Sequence, residues 1–393
     1  MAYNVGSKWW RTALTALRFA DTGRDTFYGD FFYDELIPKD DFYRQLGGII
    51  PWDSFATKLL VLYQGKAQYG RPPYHPVLML KVLVLGRLHQ RSLRELQRDI
   101  TYNLQYKCFI GLAANLPCPD FTTISDIQMR VKADRKRDVL AEILDEIIGI
   151  AKPVLADRPG KSGIEFGDIQ IVDSTAVTAD VNPAKDEARQ ADGAEPRDPD
   201  AEWAVKRSYL TRDQDGNKVK RKEYFYGFKM HTSVNAKSGL ITGIVCTGGK
   251  RYDGHEMARL IKHDVKLGLP IRIVTADRGY DDIENHGFLE EAKLKSAIRL
   301  NEYRLKKKDR NKDPWERLVR TAEYHAGLAQ RGRIEAKFGE AKTKHGLRRC
   351  RHVGLRSFDF QAKVTVLVMN LKRMVRLLCG TRFYQGSAAK AAV

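Results

Sequence analysis

Apolar positions in the first 160 residues follow the spacing of helices. Residues 76–88 begin with proline and are apolar nearly all round, which predicts a buried helix. Ser92 and Glu95 form a capping-box pattern that opens a second helix. A third helix is predicted over about 120–150, since a proline follows shortly after it. Residues 1–160 are therefore expected to form a helical N-terminal domain.

From residue 161 the pattern changes to short apolar runs that alternate with helical segments. This alternation predicts an α/β domain with a mixed sheet over residues 161–350. An amphipathic helix is expected within the remaining C-terminal part, residues 351–393, which ends in a short tail. The predicted strands cover about 168–173, 224–234, 240–247, 271–276 and 296–300, and the predicted helices about 254–267, 282–294 and 315–344.

Two polar stretches interrupt the α/β pattern. Residues 178–222 are highly charged and contain three prolines, which predicts a long loop or insertion. Residues 304–320 are strongly basic and include Lys306 and Lys307. The second stretch is either a solvated loop or a contact for a polyanion.

Charge is the unusual feature of the composition. The 393 residues include 68 Lys and Arg against 49 Asp and Glu, a formal net charge of +19. Such an excess favours a nucleic-acid partner, although a generic basic protein is the alternative. Five scattered cysteines without a C-x-x-C pair argue against a disulfide framework or a zinc ribbon. With no signal-peptide pattern and no bilayer-length apolar run, we expect a cytoplasmic protein without membrane contact.

Three carboxylates stand in settings that suit metal binding. Asp173 and Asp277 each end an apolar run typical of a strand, and Glu335 lies in a helical stretch. Ligands of open sheets bind beyond strand ends, and Mg²⁺ prefers carboxylate oxygens. Two such ions clamp the attacking and leaving oxygens of a phosphoryl displacement. The three residues are therefore candidate catalytic and metal-binding residues for two Mg²⁺ ions, for which Mn²⁺ can substitute.

Each carboxylate also has an ordinary structural explanation. An Asp after a strand commonly caps a turn, and Arg278 directly after Asp277 fits such a turn as well as a DNA contact. Arg331 and Lys342 fall on the helix face of Glu335, four residues before it and seven after it. These two cations either grip DNA phosphates or form a salt-bridge ladder with Glu335. A later basic run offers further DNA contacts or a solvated charged surface, and its arginines are Arg348, Arg349 and Arg351.

The chain resembles bacterial insertion-sequence transposases of the DDE class, near the families numbered four and five. The blocks that carry the resemblance are Ile171-Val172-Asp173-Ser174-Thr175, Tyr226-Gly227-Phe228-Lys229-Met230-His231, Thr275-Ala276-Asp277-Arg278-Gly279-Tyr280, and Arg331 to Lys342 with Gly346-Leu347-Arg348-Arg349. Further similarity lies upstream, from Tyr74 through Ser125. The resemblance implies an RNase H-like catalytic core, a two-magnesium site at the three carboxylates, and binding to terminal inverted repeats of an insertion sequence.

Two departures from the family pattern bear on mechanism. Leu328 stands where the family has a Tyr, three residues before its Arg. Asp277 and Glu335 are 58 positions apart, which is too short for the β insertion of some relatives. The sequence therefore does not decide whether cleavage passes through a DNA-hairpin intermediate. In such a route Trp315 or Trp203 would hold a flipped base, and the alternative for each is a structural packing role.

The sequence therefore predicts a DNA transposase that cuts at terminal inverted repeats and transfers 3′ ends to target DNA. We expect double-stranded DNA as partner, with the helical domain of residues 1–160 binding the element ends. We also expect a homodimer in the synaptic complex and a bacterial, nucleoid-associated location. Two alternatives remain: a catalytically inactive DNA-binding protein of the same fold, and an RNase H-like nuclease without strand transfer.

Overall fold

The computed structural model describes residues 19–63, 71–134, 137–152, 163–212, 216–301 and 315–383. The chain divides into two compact units. One contains the described residues up to Ile143 together with those from Leu371 onward, and the other is Leu144–Asn370. The domain limits expected near residues 160 and 350 stay predictions.

The described residues before 152 form helices and short 3₁₀ turns. The capping box is confirmed, because Ser92 Oγ accepts the Glu95 N–H at 3.3 Å while Glu95 Oε2 accepts the Ser92 N–H at 2.9 Å. The single helix expected over 120–150 is wrong, since two helices occupy that stretch. The helices are α1 (Asp30–Leu36), α2 (Phe42–Ile49), α3 (Ala56–Leu59), α4 (Pro76–Leu88), α5 (Leu93–Tyr102), α6 (Leu104–Ile110), α7 (Phe121–Ala133) and α8 (Val139–Ala151).

The second unit is built on a six-stranded mixed sheet, which confirms the predicted α/β class. Strand β1 is central: it pairs antiparallel with β3 and parallel with β5. Strands β2 and β4 both pair antiparallel with β3, and β6 continues the sheet parallel to β5. The strands are β1 (Ile169–Thr178), β2 (Glu202–Arg212), β3 (Lys218–Asn235), β4 (Ile241–Gly248), β5 (Ile273–Ala276) and β6 (Lys295–Ile298).

Helices cover both faces of this sheet because side chains alternate along each strand. Val172, Val274 and Ala276 pack on one face in a core that includes residues of α10 and α11. Ile273 and Ala297 point to the other face and pack with Tyr324 of α12. The helices of this unit are α9 (Pro183–Ala191), α10 (Gly254–Lys266), α11 (Ile283–Glu291), α12 (Ala322–Gln330), α13 (Gly332–Lys344) and α14 (Leu355–Cys379), which continues beyond Asn370.

The loop expected over residues 178–222 is wrong. This stretch holds α9, β2 and the beginning of β3. Its described strand residues pair with each other from Glu202↔Gly227 to Arg212↔Lys218. The ladder satisfies the backbone hydrogen bonds although most of the side chains are exposed. Strand formation there needed no apolar alternation, which is why the sequence pattern missed it.

Two further boundaries differ from expectation. Asp173 does not end its strand, because β1 continues to Thr178. The helix expected over 315–344 is interrupted: a 3₁₀ turn at Glu316–Arg320 precedes α12, and Arg331 separates α12 from α13.

No disulfide links the five cysteines, all of which are free. Within the described ranges, no helix has both the length and the apolar character needed to span a membrane.

Candidate active site

Asp173 lies on β1, and Asp277 directly follows the end of the neighbouring parallel strand β5. The register of β1 and β5 pairs Ile171 with Thr275, and each Asp stands two residues further along its chain. Strand alternation therefore directs both carboxylates to the face that α12 and α13 cover. The structure thus brings the two predicted aspartates together, although β1 continues beyond Asp173 to Thr178.

The two carboxylates occupy a site with too little positive charge. Burial first, and then the nearby charge of Asp277, raise the pKa of Asp173 to about 7 against the opposing effects of the Ser174 N–H and Arg331. That N–H donates to Asp173 Oδ1 at 2.7 Å. The pKa of Asp277 is also raised by burial, opposed by the Gly279 N–H and by Arg331.

Asp277 also has the ordinary structural role. Its Oδ1 accepts the Gly279 N–H at 2.8 Å and caps the 3₁₀ turn Arg278–Tyr280. Arg278, a predicted DNA contact, lies half-buried in that turn. One carboxylate therefore closes the turn and faces Asp173 at the same time.

Glu335 lies in the first turn of α13 and is joined to the aspartates through an arginine. Arg331 Nη2 is 2.8 Å from Glu335 Oε1, so this contact is the salt bridge of the ladder alternative. The positive charge of the same guanidinium opposes the rise in the pKa values of both Asp173 and Asp277. The Glu335 side chain is 59% exposed and can rotate without repacking a core.

The donor set fits a divalent cation at the aspartate pair. The two neighbouring carboxylates are half-buried, and their pKa values are raised first by burial, so their charged forms are poorly solvated, which a hard cation would relieve. Among the described residues, no three His, Cys, Asp or Glu side chains are gathered closely enough to hold a metal. Glu335 lies on α13, which packs on the same face of the sheet, but its carboxylate is paired with Arg331 and is not gathered with the two aspartates.

A fourth carboxylate, Asp253, adds negative charge to the site. It raises the pKa of Asp173 and of Asp277. Its Oδ1 accepts Lys229 Nζ at 2.9 Å and lies 3.7 Å from Nδ1 of the buried His231. Burial lowers the pKa of His231 to about 4, so this ring is neutral at physiological pH. The turn sequence at Asp253 concealed this contribution, because a sheet partner such as Lys229 cannot be assigned from local pattern.

The predicted DNA-contacting cations differ in their exposure and in their partners. Lys342 is half-buried, and its pKa is lowered by burial and by the neighbouring Lys206 and Arg348. The exposed Arg349 is held by Asp180, with Nε 3.2 Å from Oδ1. Arg351 is exposed and anchored through its backbone N–H, which donates to a glutamine side chain at 2.9 Å. The predicted Lys306 and Lys307 lie outside the described residues.

The residues considered for a flipped base have packing roles in the structure. The Trp315 ring stacks on His286 with centroids 4.7 Å apart. Trp203 lies 5.4 Å from the Tyr226 ring and is 43% exposed. Leu328, at the position of the family's Tyr, is half-buried and packs against the cluster around Tyr324.

Comparison with models of protein families shows which family the chain belongs to. Residues 165–371, slightly more than half of the chain, match the transposase DDE domain. Residues 31–130 match a second transposase domain, DUF772. The chain belongs to the DDE transposase family. The predicted insertion-sequence transposase is thereby confirmed, whereas assignment near the families numbered four and five stays a prediction.

Membership of this family identifies the fold of the α/β unit. The DDE domain implies an RNase H-like core, and the α/β unit with its mixed sheet is that core. The matched range contains Asp173, Asp277 and Glu335. The protein is thus a DNA transposase of a family that generally uses divalent metals and binds DNA.

Proposed function

We propose that this DNA transposase cleaves at the terminal inverted repeats of an insertion sequence and transfers the 3′ ends to target DNA by two-metal phosphoryl transfer. The observation that carries the proposal is the half-buried pair of Asp173, within β1, and Asp277, directly after the parallel strand β5, both with raised pKa values. A site that concentrates negative charge in this way is suited to Mg²⁺, with Mn²⁺ as substitute.

The proposed ligands are Asp173, Asp277 and Glu335. Bound divalent ions would activate the attacking hydroxyl and neutralise charge on the phosphate and the leaving oxygen. Asp173 must lose its proton before it can ligate, and the raised pKa makes that proton readily exchangeable near pH 7. The strand ladder around Asp173 and the capped turn at Asp277 keep both side chains fixed.

Glu335 has to exchange partners to take part. In the present arrangement Arg331 neutralises it at 2.8 Å. Ligation by Glu335 would release this guanidinium beside the aspartate pair, where a DNA phosphate is the complementary anion. Arg331 is therefore proposed to hold Glu335 before metal binding and to contact the phosphate afterwards.

The remaining predicted contacts extend the DNA interface. Arg278, Lys342, Arg348, Arg349 and Arg351 are proposed to bind backbone phosphates, because sequence-independent contacts of this kind position the duplex. The same role is proposed for Lys306 and Lys307. Pairing of two element ends argues for a homodimer in the synaptic complex, which we propose forms on nucleoid DNA in the bacterial cytoplasm.

Strand transfer is the step that separates a transposase from a nuclease with the same core. A donor plasmid carrying this gene with its native flanks is incubated with the protein, Mg²⁺ and a second, target plasmid. We expect covalently joined element–target junctions, detected by amplification and sequencing. Cut donor without junctions would contradict strand transfer and support the nuclease, and DNA binding without cutting would support the inactive binding protein.

A further inference from the structure

The strands β2 and β3 form an exposed ribbon beyond the central sheet, made of Glu202–Arg212 and residues 218–227. Strand β3 continues from this ribbon into the sheet, where Thr232 pairs with Asp173. The ribbon is therefore physically joined to the catalytic strand pair.

One face of the ribbon carries only cations among its charged side chains. Cross-strand pairs share a face, and the pairs Ser208↔Lys222, Leu210↔Lys220 and Arg212↔Lys218 alternate with the others. We call Lys218, Lys220 and Lys222 with Arg212 the lysine face. All four side chains are exposed, and no described carboxylate lies within ion-pair distance of them.

The opposite face of the ribbon differs in charge. There Glu223 accepts Lys206 Nζ and Arg207 Nε, each at 2.5 Å. Arg207 also lies over the Tyr209 ring at 5.4 Å. Glu223 offsets only part of the positive charge of that face, whereas the lysine face has no described carboxylate as a partner.

We propose that the lysine face binds the phosphate backbone of duplex DNA beside the cleavage site. This inference rests on the proposed function and names a part of the substrate that the carboxylate site does not touch. Three lysines at every second residue span about 13 Å at ~3.3 Å per residue. That length corresponds to about four base pairs at ~3.4 Å each.

The position of the ribbon fixes where on the DNA it binds. Lys222 lies ten residues along β3 from Thr232, or about 33 Å of strand. For a duplex that runs along the ribbon, the Lys222 contact therefore falls within about ten base pairs, or one helical turn, of the scissile phosphate. Lys342 of α13 lies near Arg348 and near Lys206, which stands at the base of the ribbon and is paired with Glu223 on the face opposite the lysine face.

A second copy of this chain is a poorer occupant. A symmetric contact between two ribbons would place the lysine face against itself, and like charges repel without an intervening anion. Phosphate supplies that anion, and counterion release favours the contact.

The test measures binding of a fluorescein-labelled 40-base-pair mixed-sequence duplex by anisotropy, at several salt concentrations and in EDTA. The ribbon variant combines Lys218→Gln, Lys220→Gln and Lys222→Gln. The control combines Lys262→Gln, Lys266→Gln and Lys295→Gln, exposed side chains of α10 and β6, so both proteins lose the same charge.

We expect the ribbon variant to bind at least about tenfold more weakly at ~0.1 M salt and to lose about two to three units of salt slope. A Lys→Arg triple at the same positions should retain binding, which excludes a folding defect. Equal slopes in the ribbon variant and the control would overturn the proposal. So would a change of oligomeric state on sedimentation without a change in DNA binding, because the ribbon would then be a protein interface.

The assay also separates this inference from the proposed function. EDTA removes cleavage from the measurement, so a protein that never cuts DNA can still lose binding in the ribbon variant. That result would reject the proposed chemistry and keep the ribbon. Metal-dependent cutting by the wild type, together with equal salt slopes in the ribbon variant and the control, would keep the proposed chemistry and reject the ribbon.

Discussion

The proposed chemistry depends on two aspartates that the fold forces together. Asp173 sits in the middle of a strand and Asp277 just beyond the end of its neighbour, so neither can move away from the other without breaking backbone pairing or a capped turn. Burial of both raises their pKa values. The protein alone stabilises this arrangement poorly, and a divalent cation would stabilise it well.

Cation binding at this pair should depend on pH. Because the pKa of Asp173 is raised to about 7, a proton occupies the ligand below that pH and must leave when a cation binds. The apparent Mn²⁺ affinity should therefore rise about tenfold per pH unit below pH 7 and level off above about pH 8. Isothermal titration calorimetry between pH 5.5 and 8.5 measures this.

Asp173→Asn should abolish that pH-dependent binding, whereas Asp126→Asn, an exposed carboxylate on α7, should leave it unchanged. Affinity that does not vary with pH in the wild type would show that the cation binds elsewhere.

At the scale of elements, the approach of α12 to the sheet positions Arg331 and Glu335. A Cβ added at Gly327 would lie 2.4 Å from Ala297 Cβ and 3.2 Å from Ile273 Cγ2. Only glycine permits this distance between helix and sheet. The helix is then interrupted at Arg331, and α13 begins at Gly332 with Glu335 in its first turn.

Gly327→Ala should therefore overpack the contact between α12 and the sheet and lower the free energy of unfolding by about 1–3 kcal/mol. Gly339→Ala in α13 is the matched control, since a Cβ added there would meet no atom within 4 Å. The control should be neutral or more stable by up to about 1 kcal/mol. Thermal denaturation of the two variants compares them, and equal melting temperatures would contradict the close-packing account.

The sequence predicted those elements whose pattern is local. The capping box at Ser92, the apolar helix α4 and the parallel strands around Asp277 all follow from residue spacing. The β2–β3 ribbon was missed because its side chains are exposed and charged, so no apolar alternation marks it. The contribution of Asp253 could not be predicted from local pattern, because its partners Lys229 and His231 lie on β3, distant in sequence.

At the scale of the whole molecule, two transposase domains account for most of the chain. Residues 31–130 match one and residues 165–371 the other. The net charge of +19 gives the protein an electrostatic affinity for DNA that does not depend on sequence. The carboxylate pair is thus an acidic site within a basic protein, where a cation can connect protein and phosphate.

Mapping DNA breaks at nucleotide resolution tests the central claim most directly. A plasmid with this gene and its native flanks is incubated with wild-type protein, Glu335→Gln or Glu340→Gln, with and without Mg²⁺. Glu340 is the matched control, because it lies on the same helix and its Oε1 is 3.7 Å from His345 Nε2. We predict metal-dependent breaks at the two ends of the element for wild type and Glu340→Gln, and none for Glu335→Gln. Breaks that survive Glu335→Gln would contradict the account and place the active site elsewhere.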